Sequence, residues 1–113
     1  MAKVIRMKDF SEVNGWTVVP LFGDLDDFAA PELRKLFDVL IDGGAPRLVM
    51  DLTAVGFVDS TGLNALLGAA RRVRERHGAL RLAGAVPQVR DVVELSGVEA
   101  VLPLFPDVAA ACG

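Results

Sequence analysis

Residues 47–83, RLVMDLTAVGFVDSTGLNALLGAARRVRERHGALRLA, contain the pattern that decides the fold. They begin with a nearly apolar run at 47–52, which is typical of a central strand covered on both faces. An amphipathic helix starts near Ser60 and ends at Gly78, and a further strand covers residues 79–83. The apolar stripe of this helix consists of Leu63, Leu66, Leu67, Ala70 and Val73. A strand, a helix and a second strand in this order predict a right-handed crossover between parallel strands.

The residues before this unit predict a pair of antiparallel strands. The first strand is predicted over residues 3–7 and the second over 16–22, with Asn14-Gly15 as the turn signal between them. Pro20 lies inside the second strand and has no N–H group to donate to a neighbouring strand. We therefore expect a bulge or an edge position at this proline.

A loop with the sequence GDLDD, residues 23–27, leads from the second strand into another amphipathic helix. Pro31 suits the first turn of this helix, and Gly43 and Gly44 mark its end. Its apolar stripe consists of Leu33, Leu36, Phe37, Leu40 and Ile41. This helical spacing predicts a helix that packs one face against the sheet.

The remaining segments complete the predicted order of elements. Residues 53–58 are predicted to form a buried loop that leads into the next helix. A third helix begins at Pro87 and ends at Gly97, a short strand covers 101–104, and one or two helical turns cover 106–111. The order β-β-α-β-α-β-α-β-α predicts an α/β fold. We expect a mixed sheet of about five strands, an antiparallel hairpin followed by parallel units, with about four helices packed against it.

Length and composition narrow the class of protein. The chain has 113 residues, so we treat residues 1–113 as a single domain. With 52% hydrophobic and 24% charged residues, the composition excludes intrinsic disorder. No stretch without charges is longer than residues 60–70, which are fewer than the about 20 residues of a membrane-spanning helix. The amino-terminal sequence MAKVIRMKDF has no apolar signal-peptide core. We therefore expect a cytoplasmic protein without membrane insertion.

Charge and rare residues exclude several kinds of site. Twelve basic and fifteen acidic side chains give a net charge of −3, which argues against direct nucleic-acid binding. The only cysteine, Cys112, is expected to be a frayed free thiol near the terminus. The chain has one histidine, His77, and one cysteine, which are too few nitrogen and sulfur ligands for a typical transition-metal site. The chain also contains no glycine-rich phosphate loop, so we predict neither a metal nor a cofactor.

One segment, FVDSTGL at residues 57–63, combines a carboxylate, two hydroxyls and a glycine at the start of a helix. Ser60 is well placed to cap this helix, because its hydroxyl can accept hydrogen bonds from backbone N–H groups two or three residues later. Gly62 lets another backbone approach closely. A helix cap is one interpretation of the segment. Phosphorylation of Ser60 is the other, because the helix dipole and free N–H groups stabilise an added phosphate.

Carboxylates are expected around this serine. Asp59 precedes Ser60, and Asp24, Asp26 and Asp27 should approach it, because loops at the carboxyl edge of a parallel sheet usually converge. A phosphate on the serine would add roughly −1.5 to −2 charges. A partner docked there would then meet repulsion and lose buried area, with little conformational change. The three loop carboxylates are otherwise more typical of a solvated helix start than of a metal site.

Four short sequences carry a resemblance to the STAS family: GDLD at 23–26, LVMDL at 48–52, VDSTGL at 58–63 and LSGV at 95–98. In this order and at these spacings, the chain most resembles the stand-alone bacterial anti-sigma factor antagonists. The resemblance covers essentially the whole chain. It implies a STAS-like fold.

The resemblance also implies a regulatory binding protein and not an enzyme. In the family, a serine kinase that is itself the anti-sigma factor phosphorylates the residue that follows the motif's aspartate, which is Ser60 here. The unphosphorylated antagonist binds this kinase and releases a sigma factor, and a metal-dependent serine phosphatase restores the active form. Asp26 matches the family's acidic loop residue, and Asp59 and Thr61 match the positions beside the phosphorylated residue.

We therefore expect a partner-binding surface around Ser60, on a protein that is a monomer when free. The residues expected on this surface are Asp24, Asp26, Asp59, Thr61, Gly62 and Leu63. The alternative is a non-phosphorylated STAS protein that acts as a structural subunit or regulator of a membrane transporter complex. A serine enzyme is rejected, because the only histidine, His77, would lie roughly 25 Å from Ser60 along the same helix.

Overall fold

The sheet is built around β3, Arg47–Val58. In the computed structural model, which describes residues 4–113, β3 lies between β2, Trp16–Leu25, and β4, Ala79–Ala83. It is parallel to both neighbours. The central position of β3 explains its apolar sequence, because a strand with neighbours on both edges and cores on both faces has little contact with water.

Two short strands extend the sheet on either side. β1, Ser11–Val13, pairs with β2 in the antiparallel direction, and β5, Leu104–Phe105, pairs with β4 in the parallel direction. The strand order across the described sheet is β1-β2-β3-β4-β5. The predicted mixed sheet, with an antiparallel hairpin followed by parallel crossovers, is confirmed.

Four α-helices connect or follow the strands within residues 4–113: α1, Ala30–Asp42; α2, Ser60–Glu75; α3, Pro87–Leu95; and α4, Val108–Ala111. α1 and α2 pack against each other, and Arg72 Nη1 lies 2.7 Å from Asp38 Oδ1 across their exposed side. The predicted α/β fold and its element order are confirmed. None of the helices in these residues is both long enough and apolar enough to span a membrane.

The sheet separates two apolar cores. The larger core contains Leu48 and Met50 of β3 together with the apolar stripes of α1 and α2. Val49, between them in sequence, belongs to the smaller core with Trp16 and Ala111. Because side chains alternate along a strand, the two cores lie on opposite faces of the sheet. The larger is covered by α1 and α2, and α4 contributes to the smaller.

The amino-terminal segment differs from the predicted strand at residues 3–7. Within the described part of that stretch, Ile5 forms only an isolated antiparallel bridge with Leu21, and Met7–Asp9 is a 3₁₀ turn. Residue 3 lies outside the described residues. The alternation that suggested a strand instead places Val4 in the larger core.

The first paired strand is β1, directly before the turn. Asn14 and Gly15 both have positive φ, 52° and 83°, which is the geometry of a two-residue hairpin turn. Such a turn requires the paired strand to end at the preceding residue. The three residues of β1 are too few and too polar to stand out in the sequence.

β3 continues through residues 53–58, which were predicted to be a loop; that prediction was wrong. The strand continues because β2 also extends further than predicted, so that Leu25 pairs with Val58. Residues 23–25 therefore belong to β2, and only the end of the predicted 23–27 loop is irregular. The longer pairing carries both chains to the same edge of the sheet.

The bulge expected at Pro20 is confirmed. The β2–β3 register shifts between Pro20 and Phe22, and shifts again between Gly23 and Asp24. From Pro20 opposite Asp51 to Phe22 opposite Ala54, the register advances by two residues in β2 and by three in β3. The extra residue of the bulge therefore lies in β3, and Pro20 keeps its place opposite Asp51. The strand can therefore resume pairing after the proline.

The carboxy-terminal segment also differs from prediction. β5 begins at Leu104, near the end of the strand predicted over 101–104. Cys112 is 2% exposed in the smaller core, so the expectation that it frays was wrong. The segment is held in place because Arg81 Nη1 donates to the carbonyl oxygen of Ala111 at 2.6 Å, and Asn14 Nδ2 donates to that of Cys112 at 3.2 Å.

Candidate functional site

The carboxyl ends of β2 and β3 meet at one edge of the sheet, where α1 and α2 begin. Leu25 is the last residue of β2, and its carbonyl oxygen accepts a hydrogen bond of 3.1 Å from the N–H of Asp59. Ser60 follows as the first residue of α2. The ends of the two strands are therefore joined directly beside Ser60.

Asp59, and not Ser60, caps α2. The Oδ1 atom of Asp59 accepts a hydrogen bond of 2.9 Å from the N–H of Gly62, and its backbone is extended, with φ −101° and ψ −177°. The prediction that Ser60 is the cap was wrong by one residue, because aspartate and serine cap helices about equally well. Ser60 is instead an exposed residue of the first helical turn.

Gly62 lies where α2 contacts the end of β2. A Cβ atom at this position would collide with the carbonyl oxygen of Leu25 and would lie 3.0 Å from the Cβ of the same leucine. The close approach of another backbone, predicted from the sequence, is confirmed. The next residue, Leu63, is buried in the larger core. It therefore anchors the start of α2 and does not belong to the exposed surface.

Asp26 organises the loop between β2 and α1. Its Oδ1 atom accepts hydrogen bonds from the N–H groups of Phe28, at 3.1 Å, and Ala29, at 3.0 Å. Its carbonyl oxygen accepts from the N–H of Ala30 at 2.9 Å, at the first residue of α1. These bonds fix the loop conformation next to the site.

Asp24 and Asp27 are exposed, whereas Asp26 and Asp59 are half-buried. Asp24 lies opposite Phe57 in the β2–β3 register. None of these four carboxylates forms an ion pair with any residue in 4–113. Asp24 and Asp26 flank the β2 residue that bonds to Asp59, so the fold brings the acidic loop to the start of α2.

The first turn of α2 presents backbone donors that are not used. The N–H groups of Ser60 and Thr61 donate to no acceptor in the part of the chain that the structure describes, because a helix has no preceding turn to supply carbonyls to its first N–H groups. The Asp59 carboxylate accepts only from the N–H of Gly62. Ser60 is exposed and Thr61 is half-buried. A phosphate on the Ser60 hydroxyl would lie near these donors and at the positive end of the helix dipole.

Two exposed phenylalanines flank the site, and the sequence analysis missed both. Phe28 is 90% exposed and Phe57 is 50% exposed. Phe28 directly follows two aspartates in the sequence DDFAAP and lies outside the apolar stripe of α1. This position could have indicated that its side chain is exposed. Phe57 precedes the buried Val58, so strand alternation places it on the opposite face. The Ser60 surface is defined here as Asp24, Asp26, Asp27, Phe28, Phe57, Asp59, Ser60 and Thr61.

The arrangement offers neither a metal site nor a serine nucleophile with its base. No group of three histidine, cysteine, aspartate or glutamate side chains in residues 4–113 is placed to hold a metal ion. Ser60 begins α2 and His77 lies beyond its other end at Glu75, so the two side chains cannot form a catalytic pair.

Comparisons with known proteins identify the family of the chain. The family model for the STAS domain matches residues 7–111. A Bordetella bronchiseptica protein named as an anti-sigma factor antagonist, BtrV, is 30% identical over 93 residues, which cover 82% of this chain and 80% of that protein. The crystal structure of an anti-sigma factor antagonist from Mycobacterium paratuberculosis is 27% identical with a TM-score of 0.81, covering 90% of this chain and 86% of that one. The Bacillus cell fate determinant SpoIIAA, in its phosphorylated form, is 25% identical with a TM-score of 0.68, covering 90% and 94%.

Proposed function

The chain belongs to the STAS domain family, and on that basis we propose that it is an anti-sigma factor antagonist whose partner binding is switched off by phosphorylation of Ser60. The observation that carries the proposal is the exposed Ser60 hydroxyl beside two unused N–H groups, on a fold whose relatives are named as antagonists. One of these relatives has a solved phosphorylated form. The functional unit is the single domain predicted over residues 1–113.

The geometry supports a switch that acts at the surface. Ser60 projects from the first turn of α2, while Gly62 and Leu63 hold that turn against the rest of the fold. A phosphate there is compatible with the helix, because its charge is favourable at a helix N-terminus. A partner that covers the Ser60 hydroxyl would have to remove water from a group carrying roughly −1.5 to −2 charges, which opposes binding.

The proposed partners follow from the family resemblance. The anti-sigma factor is expected to be the serine kinase that phosphorylates Ser60, and a metal-dependent serine phosphatase is expected to remove the phosphate. The unphosphorylated chain would bind the kinase and so release a sigma factor, in the cytoplasm. The alternative of a transporter-associated regulator has less support, because the relatives that match in sequence carry antagonist names.

Phosphorylation tests the site assignment. The purified chain is incubated with the candidate anti-sigma kinase and ATP, and the modified residue is located by mass spectrometry. We expect one phosphate on Ser60, none on Ser60→Ala, and normal labelling of Thr61→Ala, because Thr61 is half-buried. Labelling of Ser60→Ala at the wild-type level would contradict the assignment.

Binding tests the switch itself. Ser60→Asp introduces a negative charge, and Ser60→Asn is a control of nearly the same size without it. We expect Ser60→Asn to retain most of the affinity for the anti-sigma factor and Ser60→Asp to lose it, measured by calorimetry with both proteins at constant salt. Tight binding of Ser60→Asp would contradict a switch that works through charge.

A further inference from the structure

Within the proposed function, we infer that Phe28 and Phe57, on the two segments that lead to the start of α2, are the two apolar anchors that the anti-sigma factor buries. The partner would present apolar pockets to the phenylalanines and basic side chains to Asp24 and Asp27. The inference rests on the proposed function for the identity of the partner. It adds which side chains of this chain provide the contact area.

Phe28 is held outward by a fixed backbone. Its own N–H and that of Ala29 both donate to Asp26 Oδ1, at 3.1 and 3.0 Å, and the next residues, Ala29 and Ala30, are buried. The ring is 90% exposed and has no place in either apolar core. Because the backbone is already fixed, only the side-chain torsions of Phe28 lose freedom when a partner covers the ring, which favours its use as an anchor.

Phe57 is held outward by strand geometry. It is paired with Asp24 in the sheet, and both of its neighbours in β3 are constrained, since Val58 is buried and Gly56 lies beside the Asp24 carboxylate. Alternation along the strand turns the Phe57 ring away from the larger core. Half of the surface of Phe57 is therefore left exposed to solvent.

Ser60 lies between the two rings along the connected backbone. Phe57 precedes it by three residues in β3, and Phe28 follows Leu25 by three residues in the loop, where Leu25 is bonded to Asp59. Both rings therefore stand on segments that end at the start of α2, close to Ser60 in the connected backbone. A phosphate on Ser60 would add a strongly hydrated anion to the surface that a partner covers when it buries the rings, which opposes that burial.

The surrounding charge indicates the chemistry of the partner. Asp24 and Asp27 are exposed, and no cation in residues 4–113 pairs with them. A partner with basic residues at the periphery of its pockets would complement these carboxylates and associate faster at low salt. The cations of the partner would face Asp24, which lies opposite Phe57 in the sheet, and Asp27, which precedes Phe28.

The test measures the affinity of the unphosphorylated full-length chain for the anti-sigma factor. We expect Phe28→Ala and Phe57→Ala each to raise the dissociation constant by about tenfold or more. Leu95→Ala is the matched control, because Leu95 is 88% exposed but lies at the end of α3. Its affinity should equal that of the wild type. Phe57→Leu, which keeps apolar area, should bind better than Phe57→Ala and controls for folding.

The outcomes separate the inference from the proposed function. If the wild-type chain binds the anti-sigma factor and both alanine variants bind it as tightly as the wild type, the assignment of Phe28 and Phe57 as anchors is overturned and the proposed function stands. If the wild-type chain binds no anti-sigma factor, the proposed function itself fails. An affinity that does not fall as salt rises from low to physiological concentration would overturn the basic periphery of the partner.

Discussion

The two ends of the parallel sheet use the same packing contact but differ in what they expose. At the carboxyl end, Gly62 lies so close to the carbonyl oxygen of Leu25 that a Cβ atom would collide with it. At the amino end, Gly78 has the same relation to the carbonyl oxygen of Pro46. Gly62 lets α2 approach the last residue of β2, and Gly78 lets the turn after α2 approach the residue before β3. The packing contact alone therefore does not mark the functional end.

At the amino end, called the closed end below, the aromatic ring is covered. Trp16 is 2% exposed, and the guanidinium groups of Arg47 and Arg81 lie 4.4 and 4.3 Å from its ring centre. Such cation–π contacts use the charge of both arginines within the chain. At the carboxyl end, by contrast, two phenylalanines are exposed and the carboxylates have no cation in the described residues. The comparison teaches that partner contact is expected where apolar and charged groups remain uncovered.

Truncating the aromatic ring of the closed end should have the largest effect on stability. Trp16→Ala should lower the free energy of unfolding by about 3–5 kcal/mol, because it leaves a cavity in the smaller core and removes the ring that both arginines contact. Urea unfolding measures this loss. Phe28→Ala is the comparison variant, and its unfolding free energy should be unchanged within about 0.5 kcal/mol, since the ring is exposed. A large stability loss in Phe28→Ala would remove the distinction between the two ends.

Adding a methyl group to either packing glycine should have the next largest effect. Gly62→Ala and Gly78→Ala should each lower the unfolding free energy by about 1–3 kcal/mol, because the new Cβ atom displaces a backbone carbonyl. Only Gly62→Ala should also weaken binding of the anti-sigma factor, since it moves α2 at the Ser60 surface. Equal loss of binding in both variants at a temperature where both are folded would contradict the assignment of function to one end.

Removing the cap of α2 should have a smaller effect. Asp59→Ala should cost about 1 kcal/mol of unfolding free energy, because the N–H of Gly62 loses its acceptor. Asp59→Ser should recover most of that stability, since a serine hydroxyl can accept the same bond. If Asp59→Ser unfolds as easily as Asp59→Ala, the carboxylate stabilises the turn in some way other than capping.

Gly68→Ala should change stability least, and in the opposite direction. Gly68 lies inside α2, and a Cβ atom there would have no neighbour within 4 Å. The substitution should raise the unfolding free energy by up to about 1 kcal/mol, because alanine favours the helix more than glycine does. Binding of the anti-sigma factor should not change. A destabilised Gly68→Ala would show that the helix contacts something at this position that its glycine accommodates.

The order of elements could be predicted because α1 and α2 have clear apolar stripes, and α1, α2 and α3 each end near a glycine. The stripe of α1, from Leu33 to Ile41, is buried at four of its five positions, all but Leu40. The length of β2 could not be predicted, because Gly23 and Asp24 are poor strand formers. They are held in the sheet by pairing with β3, which is a tertiary effect.

The centre of the candidate site could be predicted from VDSTGL, since this short sequence contains both the cap and the glycine that the geometry requires. The identity of the capping residue could not be predicted, because Asp59 and Ser60 are both good caps at adjacent positions. The position of Phe28 outside the α1 stripe was a usable signal, but the exposure of Phe57 could not be predicted. It depends on which faces of the sheet the helices leave uncovered, and a single sequence does not determine that coverage.

The burial of Cys112 gives the closed end a built-in chemical reporter. A thiol that is 2% exposed reacts with an alkylating reagent only after the segment around it opens. The rate of alkylation in native buffer therefore measures how often α4 detaches from Trp16, and its dependence on urea shows whether that opening is local or global. Since the Ser60 surface lies at the other end of the sheet, the alkylation rate of Cys112 should be the same before and after Ser60 is phosphorylated.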